Sequence, residues 1–537
     1  MKFSLPKRLR LAITSSIIAT LTLGSFHGEA ANKLNFSEEE LAYMPATQQI
    51  ELFQKGDLAP IDVLNAQIAR VEKYNGEQNT ERVELKDYLR FNGKVNAIVF
   101  DKFAEAKAQA IEAERRYQNG TARPLEGITV GIKADPPVAG WVVDCGSLLL
   151  KDHPPASEDA AIIDKLNAAG AIKVFSTTVP EFYISSMTWS RLYGVTRNPW
   201  NLSYGVGGSS GGSGAALAAG FCTLATGSDM GGSIRIPASM NGIYGFKAPF
   251  GRVASSNTQF ETQGAMAKNF PDLVLMQNVI TGPSKKVMAA LSPKLDYPLE
   301  YEDLTGTKIA VCFLDGWADV ANDQATVDAL NRTIAKLRQA GAQVDVITSL
   351  SYRAEDLLPT YINGLLSTEL YSMVSLITDD NFSKLCTYSQ SLLADRSAFS
   401  SDATVKIDNL RKKLHRDIQE EVFEKGYLAL VTPTLITANV PADVDATPDK
   451  LPISNGQTLP SSQNIYTFLW NILDRYPVVD VPAGFSAHNV PIGVQVIANT
   501  YADLDAFRVA AALAKANDEA DDTLYINGKF PDFRQEQ

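Results

Sequence analysis

The sequence predicts an α/β fold, a mixed central β-sheet flanked by helices. Three observations carry that prediction. A helix that closes on glycine and leads straight into a strand occurs twice, over 158–175 and again over 325–347, and repeated alternation of this kind builds a layered α/β sheet. At 537 residues, 45% of them hydrophobic, the chain can bury a large core. Neither an internal repeat nor a clear interdomain linker interrupts it.

Taken in order, the first thirty residues read as an export signal. Lys2, Lys7, Arg8 and Arg10 form a basic start, Leu11–Gly24 is uncharged and mostly apolar, and Gly28-Glu29-Ala30 supplies small residues before a cut after Ala30. The apolar stretch is short for a membrane span. Its removal takes away four positive charges and one negative, so the net charge moves from −12 to −15. That acidity disfavours nucleic acid and anionic membrane surfaces as partners.

Ser37 to Glu40 resembles a capping box and predicts a helix ending near Gly56, with a second helix from Ile61 to about Tyr74. Ala97–Phe100 reads as a short buried strand. Asp101–Gln118 reads as a helix, with Phe103, Ala106 and Ala110 on one face. Alternation through Ile128, Val130 and Ile132 predicts a strand ending at Lys133. Helix Glu158–Ala169, Gly170 and strand Ala171–Phe175 form the first αβ step; helix Ala325–Ala340, Gly341 and strand Gln343–Ile347 form the second. Residues 434–464, rich in Pro, Asp, Ser and Thr, read as a long surface loop that could border a substrate entrance. Cys145, Cys222, Cys312 and Cys386 contain no CxxC pair, and most sit in apolar surroundings that suit a buried free thiol. His153, His415 and His488 are far apart in sequence, which argues against a zinc site of histidines.

The chemistry concentrates in two serine-glycine clusters, Gly205–Gly214 and Gly227–Ala238, separated by the uncharged run Ala215–Thr226, read as a helix. Glycines let backbone N–H groups crowd around a developing negative charge. Ser209 and Ser233 stand 24 residues apart, near enough for a helix folded back between the turns to bring them together. A serine nucleophile needs a base, and no histidine is near. Lys133, at the end of an apolar strand, is the alternative, because desolvation favours its neutral form. Lowering a lysine from about 10.4 to near 7 takes roughly 4–5 kcal/mol of differential environment.

Gly208 to Ser213, Asp229 to Ala238 and Gly242 to Lys247 resemble the signature of the amidase signature hydrolases. The likeness continues upstream through Gly131-Ile132-Lys133 and Val179 to Phe182, and downstream through Val431 to Thr434 and Pro491 to Gln495. It covers most of residues 40–515 and is weakest over about 285–425. It implies one large domain over residues 31–537, with a signature core at about 125–260 and a variable substrate region at about 285–425. It also implies a Ser–Ser–Lys triad. Ser233 would attack the amide carbonyl, and Ser209, behind a cis peptide bond, would relay its proton to Lys133. Backbone N–H groups of Met230, Gly231, Gly232 and Ser233 would hold the oxyanion, with Asp229 and Arg235 as structural support. No metal or organic cofactor is implied, and the partner is a small-molecule amide. The sequence leaves a homodimer open. Two departures stand out: Lys133 is followed by Ala134 and then Asp135, where the family often has Asp at once, and Lys247-Ala248-Pro249 replaces the usual Lys-Pro-Thr.

Rival readings remain at this point. Gly207 to Gly211 also matches the G-x-S-x-G elbow of esterases, with Ser209 as nucleophile and His488 as a late base, but that motif needs a strand before it and Asn198–Leu202 is a poor one. A P-loop is excluded, since no Gly-Lys-Ser/Thr follows the glycines. An exported binding protein could use the same turns to hold an anion without Ser233 or Lys133. Within the family, the glutamine amidotransferase that acts on charged tRNA is the runner-up, through its amidase component. The export signal argues against it, as does Arg235-Ile236-Pro237 in place of its Arg-Gln-Pro. The aromatic and aliphatic residues of Tyr361–Leu376 and Tyr466–Trp470 suggest a pocket for an aryl or alkyl acyl group.

Overall fold

The computed structural model describes residues 36–76, 93–255, 259–394, 401–444, 451–452 and 458–535. The proposed export signal over residues 1–30 lies outside the described residues. One mixed sheet of eleven strands runs through the molecule. In chain order its strands are β1 (Ile98–Asp101), β2 (Thr129–Lys133), β3 (Ile172–Thr177), β4 (Leu224–Asp229), β5 (Tyr244–Lys247), β6 (Thr262–Ala267), β7 (Lys308–Cys312), β8 (Gln343–Ile347), β9 (Ala429–Pro433), β10 (Val478–Phe485) and β11 (Pro491–Ala498). Across the sheet they lie in the order β1-β3-β2-β4-β6-β5-β10-β11-β9-β7-β8. The left-hand trio β3-β2-β4 is parallel, the centre from β4 to β9 is antiparallel, and β9-β7-β8 is parallel again. This is the mixed α/β architecture expected.

Burial explains the sheet. All five residues of β2, all six of β4 and all eight of β11 are buried, the pattern of strands covered on both faces. One apolar cluster, containing Ile132, Phe246, Leu273 and Phe507, lies under helices Phe270–Ile280 and Asp503–Glu519. A second, containing Trp189, Trp317, Phe468 and Trp470, lies under helices Ala354–Ser367 and Ser401–Glu421. All four cysteines are buried and free. No described helix is long and apolar enough to cross a membrane.

The αβ steps fall where the pattern places them, as Ala161–Ala169 before β3 and Gln324–Gln339 before β8. Three readings change. The first helix is two, Glu38–Tyr43 and Ala46–Lys55, because Pro45 lacks an N–H and drives Met44 into an extended conformation. The run Ala215–Thr226 is only half helix: Gly211–Ala218 is helical, and the chain then turns into β4. Asn198–Leu202, read as a poor strand, overlaps the strand Asn201–Gly205, which pairs antiparallel with Arg197–Asn198 in a hairpin outside the main sheet. In the expected loop over 434–464, Leu451–Pro452 pairs with Thr458–Leu459, and residues 445–450 and 453–457 lie outside the described residues.

Candidate active site

Strands β2 and β4 are parallel neighbours, with Gly131 opposite Ala225, so their C-terminal ends share one edge of the sheet. Lys133 ends β2 and Ser228-Asp229 ends β4. The helix Gly211–Ala218 is buried on every side and carries no charge. It packs so closely that a Cβ on Gly212 would overlap the backbone of Thr178. That contact seats the turn bearing Ser209 over the same sheet edge. The Gly208–Ser209 peptide bond is cis, as the resemblance implies.

Lys133 and Ser209 are each 1% exposed, and Lys133 Nζ lies 2.8 Å from Ser209 Oγ. Nζ also reaches Ser228 Oγ at 2.6 Å and Asp135 Oδ2 at 3.3 Å. Burial pushes the Lys133 ammonium below the ordinary lysine range, against the opposing pull of Asp135, Glu261 and Asp229. Ser210 N–H donates to the Ser233 carbonyl at 3.1 Å, which ties the two serine-bearing turns together. Ser233 is 8% exposed and opens on a cavity of about 190 Å³.

The loop that carries Ser233 is held by an internal ion pair. Arg235 Nε and Nη2 grip both oxygens of Asp229 at 2.9 and 2.8 Å, with both side chains fully buried. The remaining Arg235 hydrogens go to Thr467 O, Gln495 Oε1 and Asn471 Oδ1. Burial alone would raise the Asp229 carboxyl, but the Arg235 charge and the hydrogen bonds from Arg235 and Asn471 outweigh it and bring it down to about 2. Asp229 also accepts from the Gly232 and Ile234 N–H groups at 2.9 and 3.2 Å.

That last contact sets Gly232 apart from its neighbours. The Gly232 N–H points at Asp229, whereas the N–H groups of Met230, Gly231 and Ser233 have no acceptor in the protein among the described residues. These three residues, and not Gly232, line the cavity. Two side chains from distant segments aim the peptide planes: Tyr361 donates to Met230 O, and Thr467 Oγ1 to Gly231 O at 2.5 Å. In a trans peptide the N–H points opposite to the carbonyl, so the Tyr361 contact that fixes Met230 O also fixes the direction of the Gly231 N–H.

The rest of the cavity wall is mostly apolar. Tyr361, Leu365, Leu366, Leu370 and Phe468 line it beside the hydroxyls of Ser185 and Ser186, no charged side chain among the described residues does, and Ser462 and Ile465 bring the end of the 434–464 segment to its rim. Tyr466 and Trp470 pack instead into the neighbouring core. The Gly207–Gly211 motif of the elbow reading does follow a strand, Asn201–Gly205, while Ser209 is turned to Lys133 and Ser233 lines the cavity. The His488 ring lies against Tyr204, 5.0 Å between centroids. Sequence reasoning gave Ser228 no role, and it placed Tyr361 and Thr467 in apolar stretches suggesting a pocket without foreseeing their contacts to the Met230 and Gly231 carbonyls, which cross 131 and 236 residues.

The amidase family model matches residues 84–505. The glutamyl-tRNA(Gln) amidotransferase A-subunit of Sulfurisphaera tokodaii is 31% identical over 477 residues, 84% of this chain and 96% of that one. Among solved structures, a bacterial aryl acylamidase of the amidase signature family superposes with a TM-score of 0.75 at 24% identity, covering 90% of this chain and 98% of that one. 6-Aminohexanoate cyclic dimer hydrolase superposes with a TM-score of 0.70 at 24% identity, covering 88% and 97%. With the family model spanning the sheet edge, both serine turns and the lysine strand, the chain belongs to the amidase signature family and is a hydrolase of amide C–N bonds.

Proposed function

We propose that Ser233 is the nucleophile of an acyl-enzyme mechanism, with Lys133 as base and Ser209 as relay, and that the substrate is a small carboxylic amide with a neutral, apolar acyl group. The observation that carries this reading is the 2.8 Å contact between a fully buried lysine amine and the Ser209 hydroxyl, beside Ser233, which opens on the cavity. Ser233 Oγ bonds to the carbonyl carbon while its proton passes to Ser209 and the Ser209 proton passes to Lys133. The carbonyl π pair moves onto oxygen, where the free N–H groups of the 230–233 loop stabilise it. The proton returns through Ser209 to the leaving nitrogen as the C–N bond breaks and the carbonyl re-forms. Water then adds to the ester, its proton following the same relay, and Ser233 leaves with its hydrogen restored.

The largely apolar wall supports the substrate class, because a charged acyl group would lose its hydration there with no opposite charge among the described lining residues to pair it. Ammonia or aniline release from a panel of amides tests this. Aryl and medium-chain alkyl acyl amides should turn over at least tenfold faster by kcat/KM than succinamate or glutamine, and Ser233→Ala should abolish both. Preference for glutamine would favour the second reading, the amidase component of a glutamine amidotransferase, whose support is the 31% identity to the Sulfurisphaera protein. The same proposal places the enzyme outside the cytoplasm after cleavage behind Ala30, on the strength of the basic and apolar start of the sequence. The N-terminal residue of the mature protein checks it: Ala31 is expected.

A further inference from the structure

We propose that Asp135, acting with Ser228, is a positioning residue that turns the lone pair of Lys133 toward Ser209; the inference rests on the Ser–Ser–Lys reading above. A count of hydrogens carries it. Lys133 Nζ has three oxygen neighbours, Ser228 Oγ at 2.6 Å, Ser209 Oγ at 2.8 Å and Asp135 Oδ2 at 3.3 Å. The Ser228 hydroxyl hydrogen is already committed to Asp135 Oδ2, so toward Lys133 the Ser228 oxygen can only accept. A carboxylate likewise only accepts. Two of the three neighbours therefore have no hydrogen to give Nζ and can only take one from it, Ser228 in a hydrogen bond and Asp135 at ion-pair distance. A neutral amine has two N–H bonds and one lone pair. With both hydrogens used, the lone pair is left for Ser209, the one neighbour with a hydrogen still to give. That is the arrangement from which the amine removes a proton.

Asp135 is itself fixed for this task. Its backbone N–H donates to the Lys133 carbonyl at 2.7 Å, folding the chain back directly after β2. Its other carboxylate oxygen accepts from Gln263 Nε2 on β6 at 3.3 Å. The turn through Ala134 thus brings to Lys133 a carboxylate that stands two positions on in sequence. The groups facing Nζ from the packed elements are Asp135 after β2, Asp229 at the end of β4, Glu261 before β6 and the Tyr183 ring at 5.2 Å. Among the described residues, Asp135 is the one carboxylate within ion-pair distance of Nζ. Its removal should therefore disturb the Lys133 proton most.

The test is the rate at which a fluorophosphonate reacts with the full-length protein, followed from pH 5 to 10. In this reaction the Ser233 Oγ–P bond forms, P–F breaks and fluoride leaves, while the serine proton passes through Ser209 to Lys133. The wild-type rate should rise with pH through one ionisation. Asp135→Asn should move that midpoint down by about one to three pH units, since the ammonium loses its contact anion. It should also cut the plateau by about tenfold or more. Ser228→Ala keeps the carboxylate and should cut the plateau with a smaller change in midpoint. Wild-type midpoint and plateau in folded Asp135→Asn would overturn the inference. Should Asp135→Asn fail to fold by circular dichroism, an unchanged plateau in Ser228→Ala would overturn it. Lys133→Ala separates the two claims. Wild-type labelling in that variant sinks the relay itself, whereas silence there beside an unaffected Asp135→Asn sinks only the positioning role.

Discussion

Asp229 and Arg235 show how much of the site depends on single side chains that are buried behind the cavity lining. Removing one partner of a fully buried, hydrogen-bonded pair leaves the other charge without compensation, at a cost of about 3–5 kcal/mol. Arg235→Leu should therefore lower the unfolding free energy in urea by that amount and release the Gly232 and Ile234 N–H groups that the Asp229 carboxylate now orders. The pair also sets an acid limit. The Asp229 carboxyl is held at about 2, below the ordinary 3.8. A group so depressed adds stability above its unfolded pKa and loses it as pH falls through the folded one. The loss, about 2 kcal/mol, is expected between roughly pH 4 and pH 2. Unfolding measured over that window should show a slope in the wild type that Asp229→Asn lacks.

At the level of elements, legibility follows the range of the interactions. The serine turns and the lysine strand are readable because glycine spacing and strand alternation are local properties of Gly205–Gly214, Gly227–Ala238 and Ile128–Lys133. The run Ala215–Thr226 misleads past Ala218, since a segment buried on all sides has no polar face whose period could separate helix from strand. Asn201–Gly205 escapes sequence reasoning because its pairing comes from a short hairpin rather than from apolar alternation. Tyr361 and Thr467 reach the Met230 and Gly231 carbonyls from sequence separations of 131 and 236 residues. One element-level prediction rests on the turn before Ser233. Gly232 has φ +121°, and a Cβ there would overlap the Thr467 hydroxyl. Gly232→Ala should cost about 1–3 kcal/mol from the backbone alone. By breaking the Thr467 contact it should also lower fluorophosphonate labelling by about tenfold or more, which thermal melts and labelling rates on the same sample would check.

Across the whole molecule, the topology explains why these pieces meet. Parallel β2 and β4 bring a lysine and a serine-aspartate pair to one edge of the sheet, the buried helix after Ser209 leads from that edge back to the start of β4, and helix Ala354–Ser367 of the variable region lines the cavity with apolar side chains. The lysine and serine turns of that arrangement sit in the signature and are legible there. The apolar cavity wall is only suggested, by the character of Tyr361–Leu376, because a stripe of that kind serves a core equally well. The most direct test of the account is to label residues 31–537 with a broad fluorophosphonate and map the adduct by mass spectrometry in wild type and Lys133→Ala. The account predicts a single adduct on Ser233 that disappears in Lys133→Ala. An adduct on Ser209, or undiminished labelling of Ser233 without the lysine, would contradict it.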